Sequence, residues 1–465
     1  MTELKSNSFL YCFCFIIFLL LFCYFTINYD LFLFFLQPSH FFAYGYLPEA
    51  GSLPLVEDLD INVIDPNLKI EVFATGLQKP TNMAFLDSGD VLVLEKNNGT
   101  VRMIANGTLI EQPLLDVNVA NFDTRGMLGI ATSKNEITGK ERVFLYYTEA
   151  RNGASDGQDK CLRPAKCDPK YSNGNMLYQY DLSDDHTKLT NKKLILNFPP
   201  APGAAHNGGD IIIGPDKNLY LIVGNGDSDK KPTTNFEESK TIDGTGGILA
   251  LNKNGAPAFD KGILGSFDPL NKYYAYGIRN GFGLDFDPVT GNLWDTENGP
   301  GFGDEINLVK PGFNSGWKPL IGFWKAESYT KGKPIEKSDV NNLVDFEGKG
   351  FYSNPEFAWH PTIGITAIKF LNSDKLGKEY ENDIFVGSAT FNGNLYHFDV
   401  TNDREGLALE GDLSDKIADE YEEASSIIFG KGFGVISDIT VGPDGYMYIV
   451  SNTRGEIFRI VPQTQ

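Results

Sequence analysis

The chain has 465 residues, 42% hydrophobic, 13% aromatic and 22% charged, a globular composition with too many aromatics and too little charge for a disordered chain. Its 40 Lys and Arg against 61 Asp and Glu leave a net charge of −21, which repels a polyanion and excludes nucleic acid as an expected partner. The 49 Gly and 24 Pro follow no collagen period. They read as turn residues, and many turns combined with many aromatics point to an all-β fold.

Residues 9–27 carry no charged side chain and are rich in Phe, Leu and Ile, about the length that crosses a bilayer as a helix. A second short apolar run follows at 31–36, and Ala43-Tyr44-Gly45 is a tolerable small-residue cleavage site. Residues 1–45 are therefore expected to be a hydrophobic signal or anchor helix. The protein would be exported, and either secreted or held at the membrane outside the cytoplasm. Residues 46–465 form the folded part.

From about residue 61 the text repeats. Each unit is a short β-rich run, a Gly or Asp-Gly turn, and a second β-rich run. Copies run from Phe85 to Ile104, from Gly129 to Tyr180, from Ile213 to Leu251, from Phe286 to Val309, from Tyr380 to Phe398 and from Val441 to Ile460. About six such copies suggest a β-propeller, in which each small sheet buries its faces against its neighbours around a ring. Residues 68–73 are expected to complete the last sheet beside 457–460. A pair of β-sandwiches is the competing architecture and needs no internal repeat.

Three insertions, 151–171, 227–243 and 325–350, are longer than hairpin turns require, and long loops on a rigid scaffold are the usual carriers of function. The first holds Cys161 and Cys167, the only cysteines outside the leader. In an exported protein they are expected to close a small disulfide loop, with two free thiols as the alternative. No His or further Cys is near enough in sequence for a zinc site.

Of the five histidines, His40 lies in the leader, His186 in a charged turn and His397 in a strand where it reads as structural. His206 differs. It sits in Pro202-Gly-Ala-Ala-His-Asn-Gly-Gly-Asp210, a Gly-rich loop directly before a strong strand. There an imidazole could take a proton from a hydroxyl of a closely approaching ligand. A structural turn histidine is the competing reading, and His360 is a weaker candidate for the same face. Arg279, in Tyr276-Gly-Ile-Arg-Asn-Gly-Phe-Gly-Leu, offers a planar fork for a carboxylate or an anionic ring oxygen. The segment from Thr296 to Asn307 combines three carboxylates with Gly and Pro carbonyls, a mixture of oxygens suited to calcium.

The strings His206-Asn-Gly-Gly, Gly214-Pro-Asp, Tyr276-Gly-Ile-Arg-Asn-Gly-Phe-Gly-Leu, Thr296-Glu-Asn-Gly-Pro, Gly303-Asp-Glu-Ile-Asn-Leu-Val and Pro311-Gly-Phe-Asn-Ser-Gly-Trp occur in that order. Together with Gly126-Met-Leu-Gly-Ile-Ala and Gly442-Pro-Asp-Gly they resemble the soluble quinoprotein glucose/sorbosone dehydrogenases, also called aldose sugar dehydrogenases. The resemblance covers about residues 70–461. It implies a six-bladed β-propeller, calcium, and pyrroloquinoline quinone (PQQ) on one face.

By the same resemblance His206 would be the base at the C1 hydroxyl of an aldose or other small sugar, which is oxidised to the lactone. Arg279 would act beside it. Arg279 and Asn280, with Thr124 and Arg125, would contact the cofactor. Gly299 and Pro300 would offer carbonyls to a calcium ion at the cofactor, and Asp304 and Glu305 would belong to a further calcium site. The electrons would pass to an acceptor the sequence does not identify. The sequence departs from the family at three positions that supply basic cofactor ligands, where it has Phe391, Val435 and Ser437. The alternative function is a non-catalytic, calcium-binding propeller that holds a glycan or a protein partner. A calcium-dependent lactone hydrolase ranks last, because no ring of metal-binding carboxylates is evident.

Overall fold

The computed structural model describes residues 60–463 apart from 152–153, 160, 164–165, 169–170, 202, 327–331 and 390–392. The expected signal or anchor helix and Phe391 lie outside the described residues. Among those described, no helix is long and apolar enough to cross a membrane.

Each of the six sequence repeats forms a sheet of its own. The first contains Pro80–Phe85, Val91–Glu95 and Thr100–Ala105; the second Met127–Lys134, Glu141–Ala150, Ser172–Leu182 and Leu189–Asn197. The third contains Ile211–Ile213, Leu219–Val223, Gly247–Leu251 and Tyr273–Tyr276; the fourth Gly281–Phe286, Leu293–Glu297, Asp304–Val309 and Phe357–Trp359. The fifth contains Ile365–Phe370, Ile384–Ser388, Leu395–Phe398 and Ile428–Lys431; the sixth Ile436–Val441, Met447–Ser451, Glu456–Pro462 and, from the start of the folded part, Leu68–Ala74. That last pairing is antiparallel, with Ile70 opposite Ile460 and Val72 opposite Phe458, as the sequence predicts.

The second strands are buried on both faces. Val91–Glu95, Leu219–Val223, Leu293–Glu297, Ile384–Ser388 and Met447–Ser451 expose no residue; four of them read as largely apolar runs rather than alternating ones, while Leu293–Glu297 buries Asp295, Thr296 and Glu297. Their side chains fill the gaps between successive sheets. Leu92 and Leu94 pack with Val143 and Leu145, and Phe144 and Tyr146 with Leu219 and Leu221. The series closes on itself: Val91 and Val93 of the first sheet pack with Tyr448 and Val450 of the sixth. Each such aliphatic side chain contributes roughly 1.5–3 kcal/mol when fully buried, and no sheet could bury both faces alone.

The first strand of every sheet touches the first strand of the next, from Pro80–Phe85 through to Ile436–Val441 and back to Pro80–Phe85. Side chains stitch this inner circle. Asp210 accepts from Leu284 N at 2.8 Å, Asp285 from Phe370 N at 2.8 Å, and Asp438 from Met83 N at 2.9 Å, each reaching from one sheet into another. The consequence for function is positional. The loops carrying Thr124, His206 and Arg279 lead directly into the inner strands of the second, third and fourth sheets, so they converge on one end of the circle.

Candidate functional site

His206 stands in the left-handed region at φ 59° and is followed by Gly208 and Gly209, both at positive φ. Two nonconforming glycines let the chain double back so that the loop meets the end of the neighbouring strand. The antiparallel register of Ile211–Ile213 with Leu219–Val223 continues past the strand ends, and Gly226 N donates to His206 O at 3.0 Å. Asn225 and Asp227 therefore flank the imidazole. His206 Nδ1 lies 2.9 Å from Asn225 Oδ1 and 3.2 Å from Asp227 Oδ1.

The Asn225 amide is oriented by its other end, because its Nδ2 donates to Asp229 Oδ1 at 2.6 Å. Its Oδ1 must then face the ring, and Nδ1 must carry the hydrogen. That assignment leaves Nε2 as the acceptor nitrogen of a neutral imidazole. Burial, followed by the charge of Arg279, holds the imidazole well below its ordinary pKa, with the Asn225 bond opposing.

Arg279 is tied to the same network. Its carbonyl accepts from Asn225 N at 2.9 Å, and its N donates to Glu297 Oε2 at 3.2 Å. Its guanidinium donates to Asn298 O at 2.7 Å and Gly299 O at 3.1 Å and lies 5.3 Å from the Trp317 ring centroid. The Trp317 indole N–H donates to Asp229 at 3.0 Å, and Lys318 Nζ pairs with the same carboxylate at 2.8 Å. Asp229 is thus the hub that joins the His206 side of the mouth to the Arg279 side. Beside Arg279, the Asn280 Oδ1 is buried with no partner among the described residues.

Not every expected residue has the expected task. Arg125 is only 2% exposed, and its guanidinium bonds to Asp159 at 3.3 Å, Gly203 O at 2.8 Å and Ala201 O at 3.3 Å. It braces the His206 loop through these carbonyls. The Thr124 hydroxyl donates to Ala204 O and accepts from Asn207, which ties the same loop to the second sheet. Donors of both residues, expected at the cofactor, are engaged by carbonyls of the His206 loop. His360 packs 5.1 Å from the Trp324 ring and 6.0 Å from that of Phe302, and no contact joins it to His206. Ser437 Oγ bonds to Pro80 O at 2.9 Å, so it supplies no free group to the mouth. Cys161 and Cys167 form the expected disulfide across a small hairpin.

The acidic segment divides in two. Asp304 Oδ1 accepts from Gly299 N at 2.8 Å. Its Oδ2 accepts from Ile363 N at 2.9 Å, Gly364 N at 2.7 Å and Ile365 N at 3.3 Å. Four backbone donors engage this carboxylate, so it organises the loop Gly299 to Gly303. The Gly299 carbonyl accepts from the Arg279 guanidinium. Pro300 is buried in the same turn.

Glu305 points the other way. It lies directly opposite Glu297 in the strand register, with Asp295 two residues along the same face opposite Asn307. All three carboxylates are at most 1% exposed, and no Lys or Arg pairs with them among the described residues. Glu305 takes Ser315 Oγ at 3.1 Å and Gly322 N at 2.8 Å, Asp295 Oδ1 takes Asn307 Nδ2 at 3.0 Å, and Asp295 Oδ2 has no partner among the described residues. Burial raises Asp295 to about 7; burial, then repulsion from Asp295, raises Glu305 to about 8 and moves Glu297 the same way. Three buried carboxylates thus share one face with one bare oxygen among them, an uncompensated, oxygen-rich patch.

Sequence reasoning missed Asn225, Asp227, Asp229 and Asp295. The first three follow the strand that pairs with the one after His206, so hairpin register was the available signal. Asp295 alternates with Glu297 on a strand, which places both on one face.

The Glucose / Sorbosone dehydrogenase family profile matches residues 77–459. The chain is 24% identical over 399 residues to the aldose sugar dehydrogenase YliI of Escherichia coli, covering 85% of this chain and 93% of that one. It is 23% identical over 473 residues to quinoprotein glucose dehydrogenase B of Acinetobacter calcoaceticus, covering 88% and 91%. Among solved structures, the PQQ-bound aldose sugar dehydrogenase of Streptomyces coelicolor aligns with a TM-score of 0.57 at 21% identity, covering 85% of this chain and 98% of that one.

Proposed function

The chain belongs to the glucose/sorbosone dehydrogenase family, and from that premise we propose that it oxidises an aldose at C1 to the lactone, with PQQ as the electron acceptor in the site. On this reading the closed circle of six sheets is a six-bladed propeller, and the loops before its inner strands form the mouth that takes the sugar. The observation that carries the proposal is the oriented imidazole. Asn225 and Asp229 fix the Nδ1 hydrogen, and the depressed pKa keeps Nε2 unprotonated at neutral pH.

The residues present fit both implied groups. Arg279, planar and held over Trp317, is the cation at the mouth, and the bare buried oxygen of Asn280 beside it needs a donor or a cation. Asp295, Glu297 and Glu305 would hold calcium. When bound, PQQ supplies an electrophilic quinone that takes the two electrons and the hydrogen released from C1.

The chain does the rest. Nε2 of His206 receives the proton of the C1 hydroxyl, and the resulting imidazolium is stabilised through Nδ1 by Asn225 Oδ1 and Asp227. Asp227 itself is raised to about 6 by burial, so it is partly or fully ionised at neutral pH and strengthens as a partner once the ring is charged. Arg279 places positive charge where negative charge develops. The Cys161–Cys167 disulfide supports export, since such bonds persist in oxidising compartments.

The test is dye reduction by aldoses with the full chain, calcium and PQQ, alongside calorimetry of PQQ binding. Turnover that disappears in His206→Ala while PQQ still binds is the expected result. No PQQ binding in the presence of calcium would overturn the proposal.

A further inference from the structure

Away from the mouth, the fifth sheet gathers a second set of ligand-type side chains. His397 belongs to the strand Leu395–Phe398, and Asp399 follows it. Asp383 immediately precedes the partner strand Ile384–Ser388. His397 Nε2 lies 3.1 Å from Asp383 Oδ2 and 3.8 Å from Asp399 Oδ1. One ligand atom from each of the three groups lies within 4.8 Å of the others. Around a tetrahedral ion with bonds of about 2.1 Å, neighbouring ligand atoms stand about 3.4 Å apart, a value these two separations bracket.

A histidine–aspartate hydrogen bond accounts for the first contact alone. It leaves Asp399 unexplained, because that carboxylate crowds the same ring nitrogen and approaches Asp383 closely enough to share a hydrogen with it. Two carboxylates brought together on one imidazole nitrogen favour positive charge there, carried by a proton or by a metal ion. The arginine nearest in the chain does not supply it: Arg404 is turned to Asp287 at 2.7 Å and Asn382 O at 2.6 Å. The ring is held in place by Tyr380, 5.2 Å away and nearly perpendicular, and by Phe385 at 4.9 Å. Packing of this kind fixes the direction of a ligand nitrogen before any ion arrives.

His397 and Asp399 also line a cleft of about 960 Å³. Its walls add Asp65, Glu410, Asp412, Glu422 and Glu423, and no Lys or Arg lines it. Such walls raise the local concentration of cations.

We propose that Asp383, His397 and Asp399 bind a divalent transition ion of the zinc class, with the remaining coordination position open to the cleft. The imidazole selects against calcium, which takes oxygen ligands, so this site is chemically separate from the carboxylate cluster of the fourth sheet.

The experiment is zinc titration of the full chain by calorimetry with calcium in excess, repeated with cobalt, whose visible absorption reports a tetrahedral nitrogen and oxygen shell. The variants are His397→Gln, Asp399→Ala and, as a control, His186→Ala. Asp399 is 65% exposed, so its truncation leaves the fold intact even where His397→Gln does not. Zinc affinity should fall at least about tenfold in both site variants, with loss of the cobalt band, and stay unchanged in the control. Absence of zinc binding at micromolar concentration in the unmodified chain overturns the proposal, as does equal binding by Asp399→Ala.

Discussion

In the proposed mechanism the chemistry of His206 depends on Asn225, and replacing it gives two separable outcomes. Asn225→Ala removes the acceptor 2.9 Å from Nδ1 and the donor 2.6 Å from Asp229. In the transition state the ring is becoming an imidazolium, so the lost bond is a charged one, of about 1.5–3 kcal/mol. At about 1.4 kcal/mol per factor of ten, kcat should fall by about ten- to a hundredfold. KM should change little, because Asn225 reaches the sugar only through the histidine. Asn225→Asp keeps the acceptor but places a second carboxylate against Asp229 and raises the His206 pKa. The base works when neutral, and activity is lost as pH falls through its pKa. The low-pH limb of kcat/KM should therefore move upward by about one unit or more in Asn225→Asp. Stopped-flow dye reduction from about pH 4 to about pH 8 measures both effects. A wild-type kcat in Asn225→Ala, or an unmoved limb in Asn225→Asp, would refute the assigned tautomer and with it the role of His206.

Two further outcomes follow from the same geometry. In the folded state Asp295, Glu297 and Glu305 are raised, to about 7 for Asp295 and about 8 for Glu305, while unfolded carboxyls titrate near 4. The folded chain then binds the extra protons, so without a cation its stability is full at the acid end of that window and falls as pH rises through the raised values. Melting curves in chelator should therefore show a larger stabilisation by added calcium at about pH 8 than at about pH 5, and equal gains at both would count against a cation on these carboxylates. Gly203→Ala introduces a Cβ that overlaps the Asp227 carboxylate, at a position where the backbone itself accepts a side chain. Asp227 should be displaced from His206 and kcat should drop severalfold, with a change in stability within about 1–3 kcal/mol because only one side chain must give way. Unchanged turnover would place Asp227 outside the catalytic network.

Much of the fold could be read from the chain because the repeat is written in short-range signals. Gly-Pro-Asp and Asp-Gly turns sit between β-branched and aromatic runs, and each of the six copies became a separate sheet. The closing strand was legible from composition at both ends of the folded part. What could not be read was the stitching of the inner circle. Asp210, Asp285 and Asp438 look like ordinary turn or edge acids in sequence, and only closure of the ring brings each to a backbone N–H of a different sheet.

At the site, residue type was a better guide than residue role. His206 and Arg279 were legible because Gly-rich loops before strong strands expose them, and the fold brings both to one end through Asn225 and Asp229. Arg125 and Thr124 lay close in sequence to the right motif, yet bare carbonyls at 201, 203 and 204 claimed their donors first. Asp304 and Glu305 show the physical reason most directly. Adjacent residues of a strand point to opposite faces, so two neighbouring acids within Asp304–Val309 cannot serve one ion. Alternation sends Asp304 to the loop amides, while register sends Glu305 to Glu297 and Asp295. The carboxylate cluster is thus a property of one sheet face, assembled from two strands, and no stretch of consecutive residues could have displayed it.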